Sequence, residues 1–317
     1  MNNQKKIIFM GTAQFAIPCL DNIKKNDFNL LAVVTSPDKP AGRGLKISES
    51  PVKEYAKKNQ LNLLQPVNLK DSNFINQIRR LKPDLIVVVA FRMLPEILWS
   101  IPTFGSINVH ASLLPNYRGA APINWAIING EKQTGVTTFF INDRIDTGDV
   151  IGQSKIDINK NENAGELHNS LMRLGADLLI KSIDKIFSSK ENISTKQLEV
   201  KNLKAAPKLN KTNCKINWQD SCINIHNKIR GLSPYPGARS VLDNLNKKIK
   251  VIIYKSDYIK EVHNHNSGSI YIEKDKIKIA VVDGYIYPLL IKFEGKKTMD
   301  TKSLINGFNF NKECKMI

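Results

Sequence analysis

Residues 84–91 have the sequence DLIVVVAF, in which seven apolar residues follow Asp84 without interruption. A run of this length, rich in β-branched side chains, predicts a strand that is buried on both faces. It is much shorter than the roughly 20 apolar residues that a helix needs to cross a bilayer. Strands buried on both faces are typical of parallel sheets covered by helices, so this segment predicts an α/β fold.

The segments around this strand alternate between strand-like and helix-like patterns as far as about residue 190. Further strands are predicted by the apolar runs at 6–10, 30–35, 106–110 and 136–141. Helices are predicted by the patterns at 15–24, 50–59, 74–81, 122–129 and 164–187. This order predicts a doubly wound, mainly parallel sheet of the Rossmann-like type, in which ligands bind beyond the carboxyl ends of the strands. We therefore expect functional residues after Thr35, Phe91, Val109 and Phe140.

The first strand-to-helix turn, residues 11–15 (GTAQF), stands where a dinucleotide-binding fold carries its glycine motif. The turn has the first glycine of G-x-G-x-x-G but lacks the second and the third. Those glycines let the backbone approach a pyrophosphate closely. The sequence therefore gives no support to a dinucleotide site.

The C-terminal part of the chain has a different pattern. Residues 190–208 are polar and end near Pro207, which predicts a linker. One helix near 222–229 is followed by strand-like runs at 240–242, 249–254, 268–273, 277–282 and 285–293. The polar residues 273–276 (EKDK) predict a hairpin connection between the third and the fourth of these runs. Five short strands predict a small OB-like β-barrel. We therefore predict a catalytic domain at 1–189, a linker at 190–208 and a barrel domain at 209–317.

Positive charge is concentrated in that C-terminal part. The formal net charge of the chain is +18. Residues 1–200 hold 25 Lys and Arg against 19 Asp and Glu, whereas residues 201–317 hold 22 against 10. A general abundance of Lys explains the total but not this asymmetry. Because a local excess of positive charge attracts polyanions, we interpret the C-terminal part as a nucleic-acid-binding surface.

The cysteines and histidines predict no structural disulfide and no metal. Cys19, Cys214, Cys222 and Cys314 are scattered and form no C-x-x-C pair, which favours a reduced, cytoplasmic protein. The H-x-H at 263–265 lies among Asn and Ser, so an exposed turn is favoured over a metal site. No segment predicts membrane association, and nothing in the sequence demands more than a monomer.

Asn108, His110 and Asp146 form the group of residues most suited to chemistry. Asn108 and His110 are two positions apart in a predicted strand, so their side chains point to the same face. Asp146 begins the turn D-T-G-D, which can return an acid to the neighbouring strand end. An amide and a charged imidazole can donate to an oxyanion, and a carboxylate can accept the proton of an attacking amine. The group therefore suits acyl transfer to an amine.

Each of these residues also has a purely structural interpretation. Asn108 suits the end of a strand, His110 suits a hydrogen-bonded core position, and Asp146 suits the turn itself. For one residue alone, the structural interpretation is favoured. Together, in the loops where a doubly wound sheet binds its ligands, the three favour catalysis.

The segment from 108 to 149 resembles the methionyl-tRNA formyltransferase family and its folate-dependent relatives. The shared motifs are N-x-H at 108–110, S-L-L-P-x-Y-R-G at 112–119, T-G-V-T at 134–137 and D-T-G-D at 146–149. The resemblance implies a formyltransferase fold, 10-formyltetrahydrofolate as the donor and no metal. It also implies catalytic roles for Asn108, His110 and Asp146. The folate site would be lined by Ser112, Leu113, Leu114 and Pro115.

Three further segments resemble the enzymes of this family that act on methionyl initiator tRNA. The PDKPAGRG loop at 37–44 resembles an insertion loop, and its Arg43 would meet the tRNA acceptor end. Lys208 and Lys211, in KLNK before INW at 216–218, resemble an interdomain signature and would contact tRNA. PYPGA at 234–238 and EGKK at 294–297 match the C-terminal domain. Segment 90–95, AFRMLP, departs from the family because it lacks a glycine beside the pterin pocket.

Three functions stay open at this point. The first is formyl transfer from the folate donor to the α-amine of methionyl initiator tRNA. The second is the same chemistry on a small nucleotide or nucleotide-sugar amine, which would proceed without tRNA and depend little on salt. The third is a non-catalytic RNA-binding protein, which the intact Asn108, His110 and Asp146 argue against.

Overall fold

The computed structural model describes residues 5–41, 46–188, 193–198, 201–245 and 247–317. The chain forms two compact units, each built from several segments. The first unit contains residues 1–119, 134–156 and 168–205, and the second contains 120–133, 157–167 and 206–317. The predicted segments 1–189 and 209–317 each supply most of one unit.

The first unit is built on a mixed seven-stranded sheet. Its strands are β1 (Lys6–Gly11), β2 (Asn29–Val34), β5 (Leu63–Leu64), β6 (Leu85–Val89), β7 (Ser106–His110), β9 (Gln133–Phe140) and β10 (Val150–Asp157), in the order β10-β9-β7-β6-β1-β2-β5. The pairs β1–β2, β1–β6, β2–β5 and β6–β7 are parallel. The mainly parallel α/β fold expected from residues 84–91 is confirmed.

The remaining elements from this part of the chain are helices and short strands. The helices are α1 (Ile17–Lys25), α2 (Pro51–Lys58), α3 (Ser72–Leu81), α4 (Glu96–Trp99) and α6 (Ala164–Ser188), with a 3-10 turn at Gln14–Ala16. The short strands are β3 (Lys39–Ala41), β4 (Lys46–Ser48), β8 (Arg118–Gly119) and β11 (Ala205–Ala206). Side-chain caps begin three of these helices: Ser50 accepts from Lys53 N, Asp71 accepts from Phe74 N, and Asn163 accepts from Glu166 N.

The pattern of burial explains why β6 lacks polar residues. Ile86 and Val88 of β6 pack in a cluster with Phe74 and Ile78 of α3. The intervening residues of the strand, which point to the other face, are also fully buried. Since both faces are covered, every position of this strand is apolar.

Strand β9 corrects one prediction. It runs antiparallel to β7, with Ile107 opposite Phe140 and His110 opposite Thr137. The end of β9 therefore lies beside the start of β7, at the edge opposite to the carboxyl ends of the parallel strands. Functional residues were expected after Phe140 on the ground that its strand ends at the same edge as the parallel strands, and this ground does not hold for β9. The loop that follows β9 has to return along the sheet before Asp146 meets His110.

The second unit is an antiparallel β structure with helices. It contains α5 (Pro122–Ile128), α7 (Cys222–Gly231), α8 (Thr301–Gly307) and the strands β12 (Ala238–Asn244), β13 (Lys247–Lys260), β14 (Ile270–Glu273), β15 (Lys276–Val281), β16 (Gly284–Phe293), β17 (Met299–Asp300) and β18 (Lys315–Met316). The strand order is β14-β15-β16-β13-β12-β18, with β17 beside β16. A bridge between Ser269 and Lys315 joins the two ends of this order, as a barrel requires.

The five strands predicted for the barrel are all present. The predicted hairpin between β14 and β15 is confirmed by the pair Glu273–Lys276. Alternate residues of β13 and β15, such as Val251 and Ile279, share a core with Ile225 and Ile229 of α7. The apolar positions of α7 are spaced by four residues and those of the strands by two, so both periodicities meet in one core. The two-residue strands β17 and β18 were not predicted, because they are too short to show a period.

All four cysteines are buried free thiols. None of the helices in the described parts of the chain combines the length and the apolarity that crossing a membrane requires.

Candidate active site

Strand β7 carries the first two predicted residues, Asn108 and His110. It lies inside the sheet, between β6 and β9, so its position is fixed from both sides. Asn108 and His110 are separated by one residue of a regular strand and therefore project from the same face. The Asn108 side chain is half-buried, and no hydrogen bond to its carboxamide occurs within the described ranges. Its amide group is thus available to a substrate.

His110 has one ring nitrogen fixed by the backbone. The ring is buried, and Nε2 lies 2.8 Å from the carbonyl oxygen of Tyr117. Because a carbonyl oxygen only accepts hydrogen bonds, Nε2 carries a proton and donates it to this contact. The other nitrogen, Nδ1, lies 3.7 Å from Asp146 Oδ2. That distance is an ion-pair distance rather than a hydrogen bond, and Nδ1 is the nitrogen left to face a substrate.

Asp146 is held by its side chain and its turn. Its Oδ2 accepts a hydrogen bond of 2.9 Å from the backbone nitrogen of Gly119. Asp146 itself has a left-handed backbone, with φ +54°. The preceding turn is closed by Asn142, whose Oδ1 accepts from Arg144 N and Thr147 Oγ1. The structure therefore brings Asp146 to His110, and both belong to the same compact unit.

Two further residues hold this turn and were not predicted. Gln197 Nε2 donates to the carbonyl oxygens of Asp146 and Gly148, both at 2.9 Å. Gln197 Oε1 accepts from Arg118 Nε at 3.1 Å and Nη2 at 2.6 Å. Gln197 lies in the polar segment that we assigned to a linker, where no periodicity marks it. Arg118 lies in the motif at 112–119, of which only residues 112–115 were assigned to the folate site.

The loop of residues 112–115 is fixed by hydrogen bonds. Thr137 Oγ1 donates to Ser112 O at 2.7 Å and accepts from Leu114 N at 3.1 Å. Gln153 Nε2 donates to Leu114 O at 2.8 Å. Ser112 is fully buried, Leu114 is buried, and Leu113 and Pro115 are half-buried. The loop therefore has a fixed backbone directly after His110. A ligand bound at the carboxyl end of β7 would lie against it.

Segment 90–95, which follows β6, is held by Arg92. Arg92 Nη1 and Nη2 donate to the carbonyl oxygens of Val67 and Pro66, at 2.9 and 2.8 Å. Burial lowers the pKa of this guanidinium, and its Nε is buried without a partner in the described part of the chain. Ala90 takes a left-handed conformation with φ +48°, which glycine adopts more easily. Met93 remains 64% exposed.

The predicted tRNA-binding residues are only partly described. Arg43 lies outside the described residues. Lys208 and Lys211 are exposed and belong to the second unit. The backbone between them is fixed by Asn213, whose Nδ2 donates to Lys208 O at 3.0 Å. Both ammonium groups are therefore presented to solvent from an ordered turn.

The side chains at the end of β7 suit acyl transfer to an amine. Within the described residues, no group of three or more His, Cys, Asp or Glu side chains has the arrangement of a metal site. Asn108 offers an amide donor, His110 a buried imidazole, and Asp146 a carboxylate with one oxygen near that imidazole. These are the groups that a carbonyl attacked by an amine requires.

Comparison with protein families gives two matches. Residues 5–183 match the family "Formyl transferase", and residues 208–309 match "Formyl transferase, C-terminal domain". The methionyl-tRNA formyltransferase of Flavobacterium johnsoniae is 50% identical over 311 residues, which cover 98% of each chain. That of Bacteroides fragilis is 46% identical over 315 residues, covering 98% of this chain and 97% of its own.

Among solved structures, one similar protein is the N-formyltransferase of Helicobacter canadensis in complex with folinic acid and dTDP-3-aminofucose. It has a TM-score of 0.67, 25% sequence identity, and coverage of 90% of this chain and 98% of its own. The sugar 3N-formyltransferase WlaRD has the same TM-score at 23% identity, which indicates a shared fold.

Proposed function

Since this chain belongs to the methionyl-tRNA formyltransferase family and transfers a formyl group to methionyl-tRNA, we propose that its donor is 10-formyltetrahydrofolate and its acceptor the α-amine of methionyl initiator tRNA. The product is formylmethionyl-tRNA, which serves translation initiation. The observation that carries the proposal is the meeting of His110 and Asp146 at the end of β7, with Nδ1 and Oδ2 3.7 Å apart. The rest of the mechanism is built from the residues around them.

Asn108 is proposed to bind the formyl oxygen. The folate donor supplies a formyl group that is already activated for attack, so no metal is needed to polarise it. The half-buried Asn108 carboxamide has no partner within the described ranges, so its NH₂ group can donate to the oxygen as negative charge develops. Losing one such donor typically costs roughly 10²–10³-fold in rate.

His110 is proposed to stabilise the negative charge on the formyl oxygen, and Asp146 is proposed to accept the proton of the amine. Nε2 of His110 is committed to the Tyr117 carbonyl, so Nδ1 is the atom that can donate toward the developing oxyanion. Asp146 accepts the proton that the attacking amine loses, directly or through a water. The tetrahedral intermediate then breaks its bond to the folate nitrogen, which takes up that proton and leaves as tetrahydrofolate. The 3.7 Å separation can shorten in the complex, since catalytic hydrogen bonds are often long without substrate.

The folate is proposed to lie against residues 112–115. The backbone of this loop is fixed by Thr137 and Gln153, so the half-buried Leu113 and Pro115 present a preformed apolar surface. A preformed apolar surface suits a flat ring system, because little ordering is required on binding.

The tRNA is proposed to contact Lys208 and Lys211 of the second unit. Their exposed ammonium groups suit phosphates, and residues 201–317 carry an excess of 12 positive charges. Arg43 is proposed to contact the acceptor end of the tRNA. This role rests only on the resemblance of its loop to the insertion loop of the family. We expect the enzyme to work as a monomer in the cytoplasm.

The test is formyl transfer by purified protein with 10-formyltetrahydrofolate and charged initiator tRNA. We expect formylmethionine on the tRNA, and His110→Ala should lower kcat by roughly 10²–10⁴-fold, because positioned acid–base groups contribute that much. The affinity for tRNA should stay within about twofold, since no tRNA contact is assigned to His110.

His265→Ala, which changes an exposed histidine of the second unit, is the matched control and should keep kcat. Failure of formylmethionine to form with an intact donor would refute the proposal. Turnover on a small nucleotide-sugar amine without tRNA would favour that alternative substrate instead.

A further inference from the structure

The segment that follows α6 is attached to the turn that carries Asp146. Thr195 and Val150 exchange both backbone hydrogen bonds, each at 2.8 Å, so the chain runs beside the start of β10. Farther along, Lys204 N donates to Asn116 Oδ1, and Lys204 O accepts from Tyr117 N at 2.6 Å. The carbonyl of Tyr117 is the group that holds His110. This part of the chain therefore contacts both loops of the candidate active site.

Gln197 makes the most specific of these contacts. Its carboxamide uses both donor hydrogens, one for the Asp146 carbonyl and one for the Gly148 carbonyl, each 2.9 Å from Nε2. Its oxygen accepts two hydrogen bonds from the Arg118 guanidinium. Because Arg118 can only donate, the oxygen must face Arg118 and the nitrogen must face the turn. The orientation of the carboxamide is thus fixed by its partners.

Gln197, Arg118 and Gly119 together hold Asp146 in place, and we call these three residues the frame. The main chain of Asp146 is held through its carbonyl by Gln197, and its side chain is held through Oδ2 by the Gly119 nitrogen. Gly119 is covalently joined to Arg118, which holds Gln197 in turn. A left-handed backbone costs Asp more than it costs glycine, so contacts that hold the turn help to keep Asp146 in this conformation. Gln197 supplies two of those contacts.

We propose that Gln197 is a positioning residue for formyl transfer, which holds the Asp146 carboxylate in place against His110 Nδ1. This inference rests on the proposed role of Asp146. Gln197 itself touches neither His110 nor the groups assigned to substrate. Its contribution should therefore appear in the rate of the chemical step and not in substrate binding.

The expected effect follows from the sensitivity of catalysis to geometry. A misplacement of about 1 Å in a reacting group can cost about 10²-fold in rate. Gln197→Ala removes both hydrogen bonds to the turn but leaves the Gly119 contact, so the displacement should be partial. We expect kcat to fall by roughly 10- to 100-fold, with KM for the donor and for the tRNA within about twofold.

A second variant separates the two sides of the carboxamide. Gln197→Glu keeps acceptor oxygens for Arg118, but it places a carboxylate oxygen against two carbonyl oxygens. It should therefore lower kcat at least as much as Gln197→Ala, although the pairing with Arg118 is retained. Leu198→Ala is the matched control, because Leu198 is the adjacent residue, is 76% exposed and takes no part in the frame. It should keep kcat.

The decisive experiment is a double-mutant cycle with Asp146→Asn, which removes the charge that Gln197 is proposed to position. If Gln197 acts through Asp146, adding Gln197→Ala to Asp146→Asn should lower kcat by less than about threefold. A full 10- to 100-fold loss in that background would overturn the proposal. The melting temperatures of all variants are measured alongside, because a broken fold would lower kcat in both backgrounds alike.

The outcome also separates this inference from the proposed function. If the unsubstituted enzyme formylates methionyl-tRNA and Gln197→Ala keeps its kcat, only the positioning role is refuted. If the unsubstituted enzyme shows no transfer, the proposed function fails and the inference fails with it.

Discussion

Gly148 is the residue at which a single added carbon should damage the site most. It lies in the D-T-G-D turn, two residues after Asp146. A Cβ built on Gly148 would lie 1.6 Å from the carbonyl oxygen of Phe140 and 2.8 Å from its carbonyl carbon. Both atoms belong to the backbone of β9, which is paired with β7 and cannot move aside. Gly148→Ala therefore forces the turn itself to shift.

The size of the shift can be taken from the structure. Cβ atoms essentially never approach a neighbouring atom closer than 3.0 Å, so a contact of 1.6 Å requires a movement of at least 1.4 Å. The Gly148 carbonyl also accepts from Gln197 at 2.9 Å, and this bond would be strained by such a movement. Because about 1 Å of misplacement can cost about 10²-fold, we expect kcat to fall by roughly 10²-fold or more. Overpacking should also lower stability by about 1–3 kcal/mol.

The assay is formyl transfer to methionyl-tRNA at saturating donor and tRNA, together with thermal unfolding of the same samples. Gly307→Ala is the control, because a Cβ at Gly307 meets no atom within 4 Å. It should keep both kcat and melting temperature. A Gly148→Ala enzyme with kcat within about threefold of the parent would show that the turn does not fix Asp146, and the reasoning would be refuted.

Two further predictions concern salt and pH. Replacing Lys208 and Lys211 by Gln should weaken tRNA binding and reduce the slope of log affinity against log salt by roughly one to two, with kcat unchanged at saturating tRNA. An unchanged slope in a binding titration would show that the tRNA contact lies elsewhere. Burial, and then the charge of Arg230, lower the pKa of His226 to about 4 from 6.5, so the folded protein keeps this ring neutral. The contribution of neutral His226 to the free energy of unfolding should be fully present above about pH 7. It should fall as the pH drops from 6.5 toward 4, by at most about 2 kcal/mol between pH 7 and 5, because the unfolded chain takes up the proton first. His226→Leu should remove this part of the pH dependence of urea unfolding, and an identical pH dependence in both proteins would contradict the assignment.

The predictions from sequence succeeded where one local pattern decides the structure. Strand β7 was predicted with its observed ends, Ser106 and His110. The long helix α6 and the five barrel strands were also placed correctly by their periods of 3.6 and 2. The pairing of β14 with β15 followed from a short polar connection between two apolar runs.

The sequence patterns did not reveal the features that distant segments decide. The antiparallel direction of β9 depends on its pairing with β7, which the pattern of a single strand does not contain. The role of Gln197 depends on a contact with Asp146 across 51 residues of chain, so nothing near Gln197 marks it. The role of Arg43 was predicted from resemblance and stays a prediction, because Arg43 lies outside the described residues.

The sequence alone determined the α/β class, the barrel strands and the residue types at the candidate site, because side-chain periodicity and local motifs are properties of neighbouring residues. The tertiary structure alone decided which nitrogen of His110 faces Asp146, and which residues hold that turn. Those features depend on the distances between segments that are far apart in the chain, and such distances are set only when the whole unit packs.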